Sequence, residues 1–255
     1  VDNTFQVECQ HRKGKAEMKK DRAMVFILII ASIYILLGPL LSGLPLPWLL
    51  TIDGIAAISV LSLYRYLEHE PVKFSPPWAF LFVLGGITLA TLLAGGWAEL
   101  VTAAQPAQRQ VMEGGVLPPP GERSYLLNLA VMVTGPAVEE IIYRMAVLGT
   151  LAYFIGRAPA LLISSIVFAA VHADVYPPVM LMPMFILGVL QGITFLLLGL
   201  PWAIAMHMLN NSRQLMTESF EASNIVALVV AIFSIWGLWV FLSRTIRLRR
   251  IVFGG

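Results

Sequence analysis

An all-α membrane bundle of about eight transmembrane helices is the fold the sequence predicts, and three observations predict it. The 255 residues are 58% hydrophobic and only 13% charged, about half the charged share of a soluble domain. Mean hydropathy is +0.80. Apolar runs of about 20 residues, the length that crosses a bilayer, recur along the chain. Too much apolar surface is present for one water-soluble core, so the chain is read as an integral, multi-pass membrane protein.

The elements follow in order. A basic leader, residues 1–22, carries Arg12, Lys13, Lys15, Lys19, Lys20 and Arg22 and precedes the first span, Ala23 to Leu41. That span is longer than a signal-peptide core and shows no small-residue cleavage site, so it is expected to be retained. Met18, which heads Met-Lys-Lys-Asp-Arg, is the expected natural start. A Gly-Leu-Pro-Leu-Pro turn separates the second span, Leu46 to Leu67, and a polar stretch leads to the third, Trp78 to Trp97. The Pro- and Gly-rich Ala98 to Arg123 segment reads as the longest loop. The fourth segment, Ser124 to Ile155, is long for one crossing and holds Pro136, Glu139, Glu140 and Arg144, which predicts a tilted, kinked or two-part helix. A short fifth helix, Ala160 to His172, stops at Tyr176-Pro177-Pro178; a sixth covers Val179 to Leu198, a seventh Trp202 to Met216 and an eighth Asn224 to Ser243.

Arg244, Arg247, Arg249 and Arg250 make the C-terminal end basic as well. An even number of spans puts both ends on one side, so cytoplasmic N- and C-termini in the cell membrane are expected. The single Cys9 can form no internal disulfide and excludes a Cys-based metal centre. No inverted repeat points to a transporter.

The informative residues are polar groups inside apolar runs. Ionisable side chains within a membrane are costly, face the protein interior or a wet cavity, and mark functional sites. Glu140 and Arg144 are four apart and share a helix face, whereas Glu139 projects about 100° away and is free to face a cavity. The pair by itself could be a lock between helices. His172 follows Phe168 by four residues, and His207 precedes Asn211 by four. Each alone reads equally as interhelical hydrogen bonding or core packing. Together, carboxylates, two imidazoles and a carboxamide on three helices supply a base, its orienting partner and donors for a developing negative charge. Asp53 and Gln191 are expected to bond across helices, and Asp174 and Arg213 to lie solvated near span ends. The pairs Gly85-Gly86 and Gly95-Gly96 are expected at close helix contacts.

Glu-Glu-x-x-x-Arg at Glu139, Glu140 and Arg144, Phe-x-x-x-His at Phe168 and His172, and His-x-x-x-Asn at His207 and Asn211 together resemble the CPBP intramembrane protease family. That family includes the type II CAAX prenyl endopeptidases and bacteriocin-processing membrane proteins. Each motif is weak alone; three in order across Ser124 to Met216 are specific. The resemblance implies a buried active-site cavity and a metal-independent, glutamate-dependent peptidase. It further implies that Glu139 and His172 activate a water, His207 and Asn211 form an oxyanion hole, and Glu140, Arg144 and Phe168 support the site. Residues 124–216 would then be the catalytic core, between 23–123, the N-terminal helices and long loop, and 217–255, the last span and basic tail. The expected partners are a membrane-associated peptide or protein substrate, prenylated CAAX-type peptides among them, and the lipid bilayer, with no nucleic acid. Two other readings stand beside it. Glu139, His172 and His207 could ligate zinc with one open position, or the buried acid and imidazoles could belong to a non-catalytic transporter or immunity-type protein.

Overall fold

A computed structural model describes residues 3–41, 44–63, 72, 74–105, 124–219 and 224–253, and among them every regular element is helical. The helices are α1 (Asn3–Leu41), α2 (Leu46–Ser62), α3 (Pro76–Ala104), α4 (Tyr125–Ile155), α5 (Arg157–Val171), α6 (Leu181–Leu198), α7 (Leu200–Ser219), α8 (Asn224–Arg247) and a short α9 (Arg249–Phe253). Five stretches are long and apolar enough to cross a membrane: Glu17–Gly38, Pro76–Ala104, Tyr125–Ile155, Arg157–Asp174 and Pro178–Leu198. The protein is therefore an integral, multi-pass membrane protein. α2, at 17 residues, falls a few ångströms short of the roughly 30 Å hydrocarbon layer.

Several boundaries differ from the sequence reading for local reasons. The basic leader does not form a separate segment, because α1 runs unbroken from Asn3 through it. α3 continues past Trp97 to Ala104, since nothing in Ala98–Ala104 breaks a helix. The expected loop therefore begins later, and its 106–123 part lies outside the described residues. α4 starts at Ser124, whose side chain accepts the Leu127 N–H at 3.2 Å and so caps the first turn. It is one continuous helix rather than two. Its length is taken up by two π-helical stretches, Ala130–Thr134 and Glu140–Leu148, in place of a break at Pro136. Gly156 and Gly199, both at φ 85°, turn the chain from α4 into α5 and from α6 into α7, a conformation open to glycine without strain.

Packing is inverted relative to a soluble domain. Arg144, Glu140 and Gln191 are fully buried, while Leu36, Ile58, Ile235 and Trp239 on the outer faces are exposed to the lipid space. α3 runs along α8 so closely that a Cβ on Gly85 would overlap the Gly237 carbonyl. Gly95 and Gly96, by contrast, face open space, so that pair does not mark a helix contact. Gly188 meets the backbone of Ser165, and Gly192 meets Leu161, which brings α6 against α5. α1 and α2 pack on the inner face of α4, where the Tyr34 hydroxyl donates to Asp53 Oδ1 at 2.8 Å.

Candidate active site

The site is assembled on α4, α5, α6 and α7. Its anchor is the Glu140 carboxylate, which accepts from Arg144 Nε at 3.2 Å on one oxygen and from His207 Nδ1 at 2.9 Å on the other. The first contact follows from their spacing of four on α4; the second ties α4 to α7. Arg144 is held from three further directions. Its Nη2 donates to Gln191 Oε1 at 2.8 Å, its Nη1 to Ser164 Oγ at 3.4 Å, and its guanidinium lies 4.6 Å from the centre of the Phe168 ring. A buried guanidinium is tolerable because each of its three nitrogens donates a hydrogen bond and a carboxylate neutralises it. Gln191 is thus not an isolated polar residue in α6 but part of this network.

Glu139 points the other way. Its Oε2 is buried and has no hydrogen-bond partner, yet it lies 3.9 Å from His172 Nε2 and 3.8 Å from His207 Nε2. The imidazole tautomers follow from what the Nδ1 atoms face. His172 Nδ1 is 2.7 Å from the Phe168 carbonyl oxygen, and His207 Nδ1 faces the Glu140 carboxylate. Both partners only accept, so both Nδ1 atoms carry hydrogen and both Nε2 atoms are turned toward Glu139. Phe168 is buried between the rings, with centroids 4.7 Å from His172 and 6.0 Å from His207.

These groups sit beside a cavity of about 280 Å³ whose lining includes Glu139, Tyr143, His172, Asp53, Tyr34 and Ile52. Asp53, expected only to bond across helices, does bond Tyr34 but also borders this space. Tyr34 and Ser164 were not singled out by sequence; a lone hydroxyl in an apolar run carries no spacing that marks it. Asn211, the remaining expected site residue, contacts the backbone of α4, where its Nδ2 donates to the Val131 carbonyl at 2.9 Å. The reason lies in α4 itself. The Gly135 N–H bonds the Ala130 carbonyl in the π register, and the next donor in that register would be Pro136, which has no N–H. Val131 is left without a backbone donor, and Asn211 supplies one. The amide keeps a second N–H.

The zinc set Glu139, His172 and His207 converges, but among the described residues no group of three His, Cys, Asp or Glu side chains has an arrangement that could hold a metal ion.

Acid, imidazole and guanidinium side chains on apolar helices thus converge around one water-sized gap. Residues 121–213 match the family model described as type II CAAX prenyl endopeptidase Rce1-like. That segment, which runs from just before α4 into α7, is what the chain shares with this family of proteases. Comparison with curated proteins and with solved structures gives no match.

Proposed function

We infer that the protein is an intramembrane endopeptidase that hydrolyses peptide bonds of membrane-associated substrates, prenylated CAAX-type peptides being the class the family description carries. The observation that supports this most is the buried, unpartnered Oε2 of Glu139 facing two Nε2 atoms at 3.8 and 3.9 Å. Neutral His172 Nε2 and the Glu139 carboxylate are both acceptors. A water placed at about 2.8 Å from each would donate one proton to either, at an angle near 90° at its oxygen. Its lone pair then points outward.

The mechanism follows from these roles. Glu139 removes a proton as the water oxygen attacks the scissile carbonyl, and His172 holds the water in line. The developing oxyanion is met by the second N–H of Asn211 and by His207, which in this step must carry hydrogen on both ring nitrogens, its Nδ1–H held by the Glu140 carboxylate and its Nε2–H donated to the oxyanion. Glu140 holds the His207 ring through Nδ1, and Arg144, with Gln191 and Ser164, holds Glu140. Glu139 then returns its proton to the leaving amine. Nothing in this sequence of steps calls on a metal.

The test is Glu139→Gln in detergent-purified protein, with membrane peptides from cells carrying either form compared by mass spectrometry. The variant is expected to fold as the wild type does, because Glu139 Oε2 makes no hydrogen bond, and to lose cleavage. Chelator-treated wild type is expected to retain turnover. Wild-type activity in Glu139→Gln, or activity that returns only with added zinc, overturns the assignment.

A further inference from the structure

The cavity beside Glu139 has a second wall, built by α1 and α2, and it carries a carboxylate that the mechanism above does not use. Tyr34, Ile35 and Gly38 come from α1, and Leu49, Ile52 and Asp53 from α2. Both helices lie outside residues 121–213, the segment matched by the family model. α2 packs on the part of α4 that carries Glu139, and Asp53 and Glu139 border one space of about 280 Å³.

Asp53 is the only ionisable residue of α2, and an acid within an apolar helix of a membrane protein is costly. Its Oδ1 accepts the Tyr34 O–H at 2.8 Å. That is its one bond among the described residues; Oδ2 has none there, and no Lys, Arg or His pairs with it. A tie between α1 and α2 needs no carboxylate, because a Ser, Thr or Asn at this position could accept the same O–H. The free oxygen on the cavity wall calls for another reason.

A bound peptide supplies one. Glu139 and His172 hold the water, and His207 and Asn211 meet the oxygen of the scissile carbonyl, but none of the four accepts a backbone N–H. Each non-proline residue of the substrate brings one such donor, and in an apolar cavity a donor without an acceptor costs about as much as a lost hydrogen bond. On the α1–α2 wall, Ile35, Leu49 and Ile52 offer no side-chain acceptor, and the Tyr34 O–H is already donated. Asp174, a further carboxylate of the lining, is exposed in the turn after α5, where an acid is solvated at little cost.

Resting on the peptidase reading above, we propose that Asp53 binds the substrate backbone: its Oδ2 accepts a peptide N–H flanking the scissile bond. Tyr34 is then a positioning residue that fixes the carboxylate through Oδ1. A backbone acceptor reads no side chain, so it sets the register of the peptide against Glu139 without narrowing its sequence. The contact is present before and during attack alike, so it acts on KM rather than on kcat.

The test uses a prenylated CAAX-type peptide and versions of it in which each backbone amide except the scissile one is replaced in turn by an ester, which removes the N–H. Cleavage is followed with wild type, Asp53→Ala and Tyr34→Phe, and affinity with the same set carrying Glu139→Gln. One ester position is expected to raise KM about 10- to 100-fold in the wild type, the loss of one charge-assisted hydrogen bond, and by less than about 2-fold in Asp53→Ala. Tyr34→Phe breaks the same tie between helices but keeps the carboxylate, so the ester effect should persist there. A purely structural Asp53 predicts instead that the two variants are equally impaired and that each ester costs every form alike; that result overturns the proposal. Should Asp53→Ala fail to fold with the Tyr34 hydroxyl unpaired, the double variant with Tyr34→Phe removes both partners and takes its place. Cleavage without an Asp53-dependent ester effect overturns this proposal alone. An Asp53-dependent ester effect on affinity, with no cleavage by the wild type, overturns the peptidase reading and leaves Asp53 as a peptide-binding residue; neither binding nor cleavage overturns both.

Discussion

Replacing Glu140 by Ala removes the only carboxylate that touches Arg144 among the described residues. Both residues are fully buried, and the pair is joined at 3.2 Å. After the substitution the guanidinium keeps Gln191, Ser164 and the Phe168 face, all uncharged, and His207 Nδ1–H loses its acceptor. Breaking a buried pair by deleting one partner costs about 3–5 kcal/mol, because the other charge is left uncompensated. Deleting both charges need not. Glu140→Ala combined with Arg144→Met is therefore expected to destabilise by less than the sum of the single variants, with a coupling of about 1–3 kcal/mol. Equilibrium unfolding of the four proteins in mixed detergent and SDS micelles gives the cycle. The reasoning is refuted if Glu140→Ala lies within about 1 kcal/mol of wild type, or if the two changes add, since a buried unpaired arginine would then cost far less than argued.

Further outcomes follow from the same geometry. Asn211→Ala is expected to lower turnover about 100- to 1000-fold, the usual loss for one oxyanion donor, with little change in substrate affinity; steady-state kinetics checks this, and an unchanged kcat removes Asn211 from the oxyanion role. Asn211→Asp should in addition lose stability by about 1–3 kcal/mol, because an acceptor then faces the donorless Val131 carbonyl; an unfolding midpoint at or above that of Asn211→Ala refutes that account. Gly85→Val should destabilise by roughly 1–3 kcal/mol or more through overpacking against Gly237, whereas Gly95→Ala, in open space, should be neutral or slightly stabilising; equal unfolding midpoints for the two would mean that α3 and α8 are not in backbone contact.

Much of this was legible in the chain because it is local. Composition and run length establish a helical membrane protein, since a segment in lipid must satisfy its own backbone. The spacing of four between Glu140 and Arg144 places them on one face, and the offset of Glu139 turns it away from them. The three motifs mark the family whose model matches residues 121–213. The remainder depends on which helices meet. That His207 reaches Glu140, 67 residues away, that Gln191 reaches Arg144 across 47, and that Asn211 reaches Val131 across 80 follows from approach distances set by side chains elsewhere. Gly188 and Gly192 draw α6 onto α5, and that approach carries Gln191 to the guanidinium. Helical periodicity tells which face a residue occupies but not what lies opposite it. The motif at Asn211 was readable, for example, but its partner carbonyl was not, because that carbonyl is freed by a π register and a missing Pro136 N–H.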